Sequence, residues 1–240
     1  MSVSPRETRI AVIEEGQLME LRIERGERVV GNIYKGIVQN VLPGMDAAFV
    51  DIGLERNAFL YVADILPESE DGEPLPASVK RSTLKRRNIK DLLKQGQEVL
   101  VQVIKGPRGT KGARVSTRLT LPGRYVVLMP EGNHLGVSRK IESREERERL
   151  RQIGLSMHPD DFGVIIRTES EGKGDEEIRA DIEFLRTTWQ QIMANDRVTR
   201  APGMIYRDMT LLYRTIRDMF GADVQRLMID DPDEYEKVYH

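Results

Sequence analysis

NIYKGIVQNVLPGMDAAFVDIGLERNAFLYVADI, residues Asn32 to Ile65, divides into strand, Gly turn, strand, short turn and strand. Its period-2 alternation assigns each side chain a face. In the second strand Ala48, Val50 and Ile52 share one face, and Ala47, Phe49 and Asp51 take the other. In the third, Ala58, Leu60 and Val62 form the apolar set while Phe59 and Tyr61 point oppositely. One face is therefore small and aliphatic. The other carries three aromatic rings from a chain that has only 5 Phe, 7 Tyr and 1 Trp. Rings gathered on the outer face of a small antiparallel barrel stack unpaired bases in oligonucleotide-binding barrels.

Phe and Tyr are also good strand formers, and a sheet can bury both faces beneath a second layer. The basic chemistry nearby favours the exposed platform. After a helical stretch, Ile89 to Lys94, comes the alternating strand GQEVLVQVIK with Val99, Val101 and Val103 aligned. It runs into KGPRGTKGARVST, a Gly-rich hairpin carrying Lys105, Arg108, Lys111 and Arg114 with no acid among them. Rings for bases and cations for phosphates suit a single nucleic-acid strand.

At 240 residues the chain holds one or two compact domains. It balances 37 basic against 39 acidic residues, net −2, so a polyanion must be met by local patches and not by overall field. There is no cysteine, which excludes disulfides and thiolate metal sites in this sequence and fits a reducing compartment. No apolar run approaches the ~20 residues of a membrane span, and MSVSPRETR lacks a signal-peptide core. The cytoplasm is the expected setting.

Working outward, RIAVI and QLMELRIER form a hairpin turning at Glu14-Glu15-Gly16, and Arg25 to Val30 lead into the barrel. A lone hairpin needs further strands to be stable. Between Leu66 and Asn88 the pattern disappears in a Pro-, Gly- and Ser-rich excursion, acidic first and then basic with Lys80, Arg81, Lys85, Arg86 and Arg87. It reads as a solvated charge run or as a track for an RNA backbone. YVVLMP and HLGVSRKI are expected to pair as a hairpin. SREERERLRQ, Ser143 to Gln152, is an amphipathic helix capped by Ser143, with Glu146 completing a capping box. FGVIIRT is a short strand, and a long helix follows with Ile178, Ile182, Leu185, Trp189 and Ile192 on one stripe. A helix over Met209 to Phe220, a strand VQRLMID, and a helix capped by Asp231 with Pro232 in its first turn complete the chain.

Arg167 and Thr168 end FGVIIRT, where a buried strand delivers polar groups to the surface. A guanidinium fork, a hydroxyl and an adjacent amide can cage a phosphate, and Gly123 lets a backbone approach closely. An Arg-Thr pair at a strand end is equally at home as ordinary surface. Asp230, Asp231, Asp233 and Glu234 have the spacing of a helix N-terminus more than of a metal site. His134 and His158 are isolated and expected at the surface.

KGIVQNVLPGMDAAFVDIG followed by ERNAFLYVADI resembles the S1 RNA-binding domain. With NIYKG, AAFVDIG, NIKDLLKQGQEV and RGTKG in this order, and LPGRYVVLMP, GVSRKI and FGVIIRT after them, the chain resembles the N-terminal part of the ribonuclease E/G family over roughly residues 8 to 240. The resemblance implies an α+β multi-domain fold: an S1-type OB β-barrel inserted in an RNase H-like subdomain, followed by an α/β 5′-sensor domain. The divisions it implies are 1–31 (hairpin of the RNase H-like subdomain), 32–118 (barrel, with a mobile insertion 66–88), 119–198 (5′-sensor) and 199–240 (incomplete RNase H-like segment).

The same resemblance implies RNA contacts at Phe59 and Lys111, to which the face argument adds Tyr61 and Phe49. It implies a pocket for the 5′-monophosphate of RNA at Gly123, Val127, Arg167 and Thr168. The function implied is RNA binding and 5′-end sensing for an endoribonuclease that cleaves single-stranded RNA in mRNA decay and in rRNA and tRNA processing. The catalytic Mg2+ and the Zn2+ of a subunit link are both expected outside this chain, as are the catalytic residues, so the chain is expected to stop before the catalytic domain. The partners implied are single-stranded RNA, preferably 5′-monophosphorylated, and a second copy in the full-length protein. Two rivals remain: a non-catalytic S1-domain RNA-binding or ribosome-associated factor, and a barrel serving only as a protein-interaction scaffold.

Overall fold

Where the sequence alternates with period 2 the backbone is extended, and where apolar residues recur every three to four it is helical. The computed structural model describes residues 1–65, 88–157, 162–221 and 223–239. The excursion expected at 66–88, with its basic half, lies outside them except for Asn88, and so does His158. The first strands are β1 (Ser2–Val3), β2 (Glu7–Glu14), β3 (Gln17–Arg25), β4 (Ile33–Leu42), β5 (Ala47–Asp51) and β6 (Ala58–Tyr61). Then come α1 (Ile89–Leu92), β7 (Glu98–Lys105), β8 (Arg114–Ser116), β9 (Leu121–Pro122), β10 (Val126–Met129) and β11 (Leu135–Val137). The chain continues with α2 (Arg144–Met157), β12 (Gly163–Ile166), α3 (Asp175–Val198), β13 (Gly203–Tyr206), α4 (Leu211–Met219) and α5 (Pro232–Tyr239).

Contacts divide the chain into two units: residues 1–29 with 208–240, and residues 30–207. The second is thus an insertion between the two halves of the first. Within it, β4, β5, β6, β8 and β7 are neighbours in that order, and β4 also pairs with β7. That closes a five-stranded OB-type barrel. All its pairs are antiparallel except β6–β8. Closure leaves no free edge within the ring. The predicted aliphatic face fills the interior: Ala48, Val50, Ile52, Ala58 and Leu60 are sealed there with Val38, Val101 and Val115. Burying each Val, Leu or Ile side chain stabilises the fold by about 1.5–3 kcal/mol.

The remainder of this unit is a four-stranded sheet in the order β11–β12–β10–β9. YVVLMP and HLGVSRKI do not pair as a hairpin. The strand from FGVIIRT inserts between them, antiparallel to β10 and parallel to β11. Its apolar run, buried at Gly163, Val164 and Ile166, suits a central strand covered on both faces. Ile178, Ile182, Leu185 and Ile192 of α3 lie in the core with Trp189 packed against it, as their spacing predicts. That core also takes in Ile33 of β4 and Ile205 of β13, so the core of the region anticipated as 119–198 extends to the edge of the barrel, whose own interior residues are not part of it. Strand β13 pairs with β4, which places residues up to 207 with the barrel and not with the terminal segment. Lys35 of β4 donates to the carbonyls of Asp196 (2.6 Å) and Thr199 (3.3 Å), a cation at the negative end of α3.

In the other unit β2 and β3 form the predicted hairpin, with β1 beside β2. Glu24 of β3 accepts from the Leu211 amide (2.9 Å) and from Arg214 (2.7 Å), which ties the hairpin to α4. The expected strand VQRLMID does not form. Residues 224–230 meet the N-terminal residues through Met1 N to Met228 O (2.6 Å), Asp230 N to Met1 O (3.2 Å) and Val3 N to Asp230 Oδ1 (2.8 Å), and the Asp230 carboxylate also accepts from the Ser2 side chain. Their apolar residues, Val224, Leu227, Met228 and Ile229, do not alternate, so a strand would have no single apolar face to bury.

Candidate nucleic-acid interface

Phe49 and Phe59 stand directly opposite on β5 and β6 and point outward from the barrel. Their ring centroids are 5.2 Å apart at 85°, an edge-to-face contact. Tyr61 lies 4.4 Å beyond Phe59 at 58°. The two Phe are half-buried and Tyr61 is 38% exposed, so the cluster is an open platform and not a sealed core. Ala47, expected on the same face, is fully buried. It is the register partner of Tyr61, and its methyl floors the platform beside that ring.

The row continues across the next two strands. Arg114 of β8 is the partner of Phe59, and Lys105 of β7 is the partner of Arg114. Directly paired residues share a face, so Phe49, Phe59, Arg114 and Lys105 form one line across four strands, about 14 Å long at ordinary strand spacing. The Arg114 guanidinium carbon lies 4.7 Å from the Tyr61 centroid. Asp64, in the turn after β6, accepts two bonds from Arg114, at 2.9 and 3.2 Å. Asp64 also gives its carbonyl to Ser116 and Thr117. The guanidinium is thereby held over a ring by a carboxylate on the neighbouring turn.

Lys111 lies on the hairpin between β7 and β8, which is closed by reciprocal 3.0 Å bonds between Arg108 and Lys111. Arg56 donates to Gly109 O at 2.8 Å and pins that hairpin to the β5–β6 turn. Gly112 is needed there: a Cβ at this position would stand 2.0 Å from the carbonyl oxygen of Asn57. Lys111 is exposed, next to the Gly112 that packs on Asn57 at the start of the β6–β8 pair. Together these groups offer flat faces for bases and a cationic margin for phosphates.

Of the second predicted cluster, Gly123, Arg167 and Thr168 lie close together. Arg167 follows β12 and its amide donates to Tyr125 O (2.8 Å), while its Nη1 donates to Gly123 O. The β9–β10 turn and the end of β12 therefore come together, bringing Gly123, Arg167 and Thr168 to one place. Val127, on β10, is the partner of Ile165, two residues before Arg167, on the half-exposed face of the sheet. Two acids that the sequence reading passed over organise this place. Asp181 of α3 accepts three successive amides: Arg124 (3.2 Å), Tyr125 (2.7 Å) and Val126 (3.0 Å). Any Cβ at position 123 would lie 2.3 Å from its carboxylate, so glycine at 123 makes room for Asp181. Glu169 accepts from Arg167 Nη2 (3.3 Å) and from Thr168 Oγ1 (3.2 Å). The signal for Asp181 was present: it sits one residue before Ile182, on the edge of the α3 apolar stripe, where an acid needs partners.

Magnesium finds no fit in the C-terminal acids. Asp231 caps α5 by accepting from Glu234 N (2.9 Å), Asp230 accepts from Val3 N (2.8 Å), and Glu234 pairs with Lys237 (2.7 Å). Among the described residues no three His, Asp or Glu side chains are grouped as a metal site. His134, expected at the surface, is half-buried, and its carbonyl accepts from Val164 N (2.9 Å).

The profile of the S1 RNA binding domain matches residues 27–118, and that of the Ribonuclease E/G family matches residues 120–240. The chain is similar to Ribonuclease G of Escherichia coli (strain K12), 44% identical over 238 residues, which is 98% of this chain and 48% of that protein. Ribonuclease G of Haemophilus influenzae is 45% identical over 232 residues, 96% of this chain and 46% of that one. Ribonuclease E of Nostoc sp. is 44% identical over 229 residues, 95% of this chain and 32% of that one. The chain thus spans about half the length of these ribonuclease G relatives.

Proposed function

The chain belongs to the ribonuclease E/G family, and from that premise we propose that it is the RNA-recognising portion of an endoribonuclease. Single-stranded RNA lies across the barrel, with bases on Phe49, Phe59 and Tyr61 and phosphates against Lys111, Arg114 and Lys105. A duplex hides its base faces within its own stack, so an aromatic platform selects unpaired segments. The RNA 5′-monophosphate enters the cluster of Gly123, Val127, Arg167 and Thr168, where a guanidinium and a hydroxyl meet its oxygens. Hydrolysis, with its magnesium, and the zinc-linked pairing of subunits are assigned to the part of the relatives' length that this chain does not span. The setting is the cytoplasm, and the outcome is RNA decay and processing.

The observation that carries this reading is the line of two rings and two cations across four adjacent strands. Fluorescence anisotropy with three RNAs of one sequence tests it: single-stranded with a 5′-monophosphate, single-stranded with a 5′-hydroxyl, and fully paired. The expected order of affinity is monophosphate, hydroxyl, duplex. Equal binding of all three contradicts it.

A further inference from the structure

The Arg167–Thr168 cluster already holds an anion of its own. One carboxylate oxygen of Glu169 takes the Arg167 guanidinium at 3.3 Å, and the other takes the Thr168 hydroxyl at 3.2 Å. Those are the two groups that the reading above gives to the RNA phosphate. Glu169 stands in the short turn Thr168–Ser170, fixed to the sheet by the buried Ser170, whose hydroxyl donates to Tyr125 O at 2.8 Å. Being the next residue in the chain, its carboxylate reaches this position with little ordering of the backbone. Its side chain is 32% exposed and that of Arg167 21%, so the pair is open enough to exchange with solute.

We propose that Glu169 is an affinity-setting residue for the 5′-end site: an internal carboxylate that an incoming phosphate must displace. This rests on the 5′-phosphate reading of the cluster. A carboxylate presents two oxygens and one charge, whereas a terminal phosphate presents three oxygens and close to two charges. The phosphate therefore wins the exchange, but against a resident competitor. A 5′-hydroxyl end carries no such group and leaves Glu169 in place. The guanidinium stays paired in both states, which avoids an uncompensated charge in a half-buried site.

Glu169→Gln in the full chain removes the charge and keeps the shape. Binding is read by anisotropy with one oligoribonucleotide bearing a 5′-monophosphate or a 5′-hydroxyl. The expected result is about two- to fivefold tighter binding of the monophosphate RNA, the scale of a partly exposed ion pair, with the hydroxyl RNA unchanged. Monophosphate binding that stays the same or weakens, while the wild type prefers the monophosphate and Arg167→Ala loses that preference, overturns the role of Glu169 and leaves the pocket standing. A wild type that does not distinguish the two ends overturns both. Circular dichroism of Glu169→Gln guards against a folding defect, and Glu169→Ala, which also removes the competing oxygens, must move binding in the same direction.

Discussion

The Arg114 guanidinium lies over the ring of Tyr61, 4.7 Å from its centroid, while Asp64 grips the same guanidinium with both carboxylate oxygens. Arg114, Tyr61 and Asp64, from two adjoining strands and a turn, thereby hold a planar cation in place over the ring. A guanidinium plane prolongs an aromatic platform in a way that an ammonium does not.

Arg114→Lys therefore separates charge from shape. It keeps the positive charge and loses the fork and the plane, so RNA affinity is expected to fall about threefold, with the salt dependence nearly intact. Asp64→Asn is expected to weaken binding through loss of orientation, and its defect should not add fully to that of Arg114→Lys. A double-mutant cycle read by anisotropy checks the coupling.

Salt offers a second handle. If Lys105, Lys111 and Arg114 each neutralise one phosphate, log K against log salt should fall with a slope of about −2 for single-stranded RNA. Lys111→Ala should make that slope shallower by about 0.7. A slope unchanged by this substitution places Lys111 away from the RNA.

At the other cluster, Arg167→Ala is expected to remove the preference for a 5′-monophosphate over a 5′-hydroxyl and to leave binding of the hydroxyl RNA as it was. The contribution at stake is that of hydrogen bonds to a charged group, about 1.5–3 kcal/mol. Competition titrations with the two RNAs measure it directly.

The pH response of the fold has a marked contributor in Glu146. Its carboxyl is held at about 2 by the Arg149 side chain and by the Gly172 amide. A carboxyl whose folded value is depressed contributes stability above its unfolded value, about 4.3, and loses it as the pH falls through the folded one. Stability should therefore decline between about pH 4.5 and 2, and Glu146→Gln should flatten that part of the profile. Denaturant midpoints of both proteins across this range check the sign. The pair is partly open to solvent, so the effect is also expected to shrink in high salt.

Much of the barrel could be read from the text of the chain, because period-2 alternation is a local property. Ala48, Val50, Ile52, Ala58 and Leu60 went inward, and Phe49, Phe59 and Tyr61 outward, as alternation demands. The stripe on α3 was equally legible. What escaped depends on contacts between residues far apart in sequence. Nothing local says that Arg114 will stand opposite Phe59 or Lys105 opposite Arg114, since the first depends on a parallel pairing and the second on an irregularity in β7 between Val103 and Lys105. The same holds for β12, whose insertion between β10 and β11 displaced the expected hairpin. Glu146 shows the limit even within a helix. Ser143 accepts from the Glu146 amide at 3.2 Å as a cap should, but the Glu146 carboxylate turns to Arg149 and Gly172. Asp181 and Glu169 were visible as acids, yet their partners were not.

The central claim is that unpaired bases stack on the outer face of the barrel. Phe59→Ala tests it most directly, because Phe59 touches both other rings and removing it leaves the barrel interior intact. Affinity for a single-stranded oligoribonucleotide should fall by about 1–3 kcal/mol, with the slope against salt unchanged. An affinity equal to that of the wild type, in a protein of unaltered circular dichroism, contradicts the account.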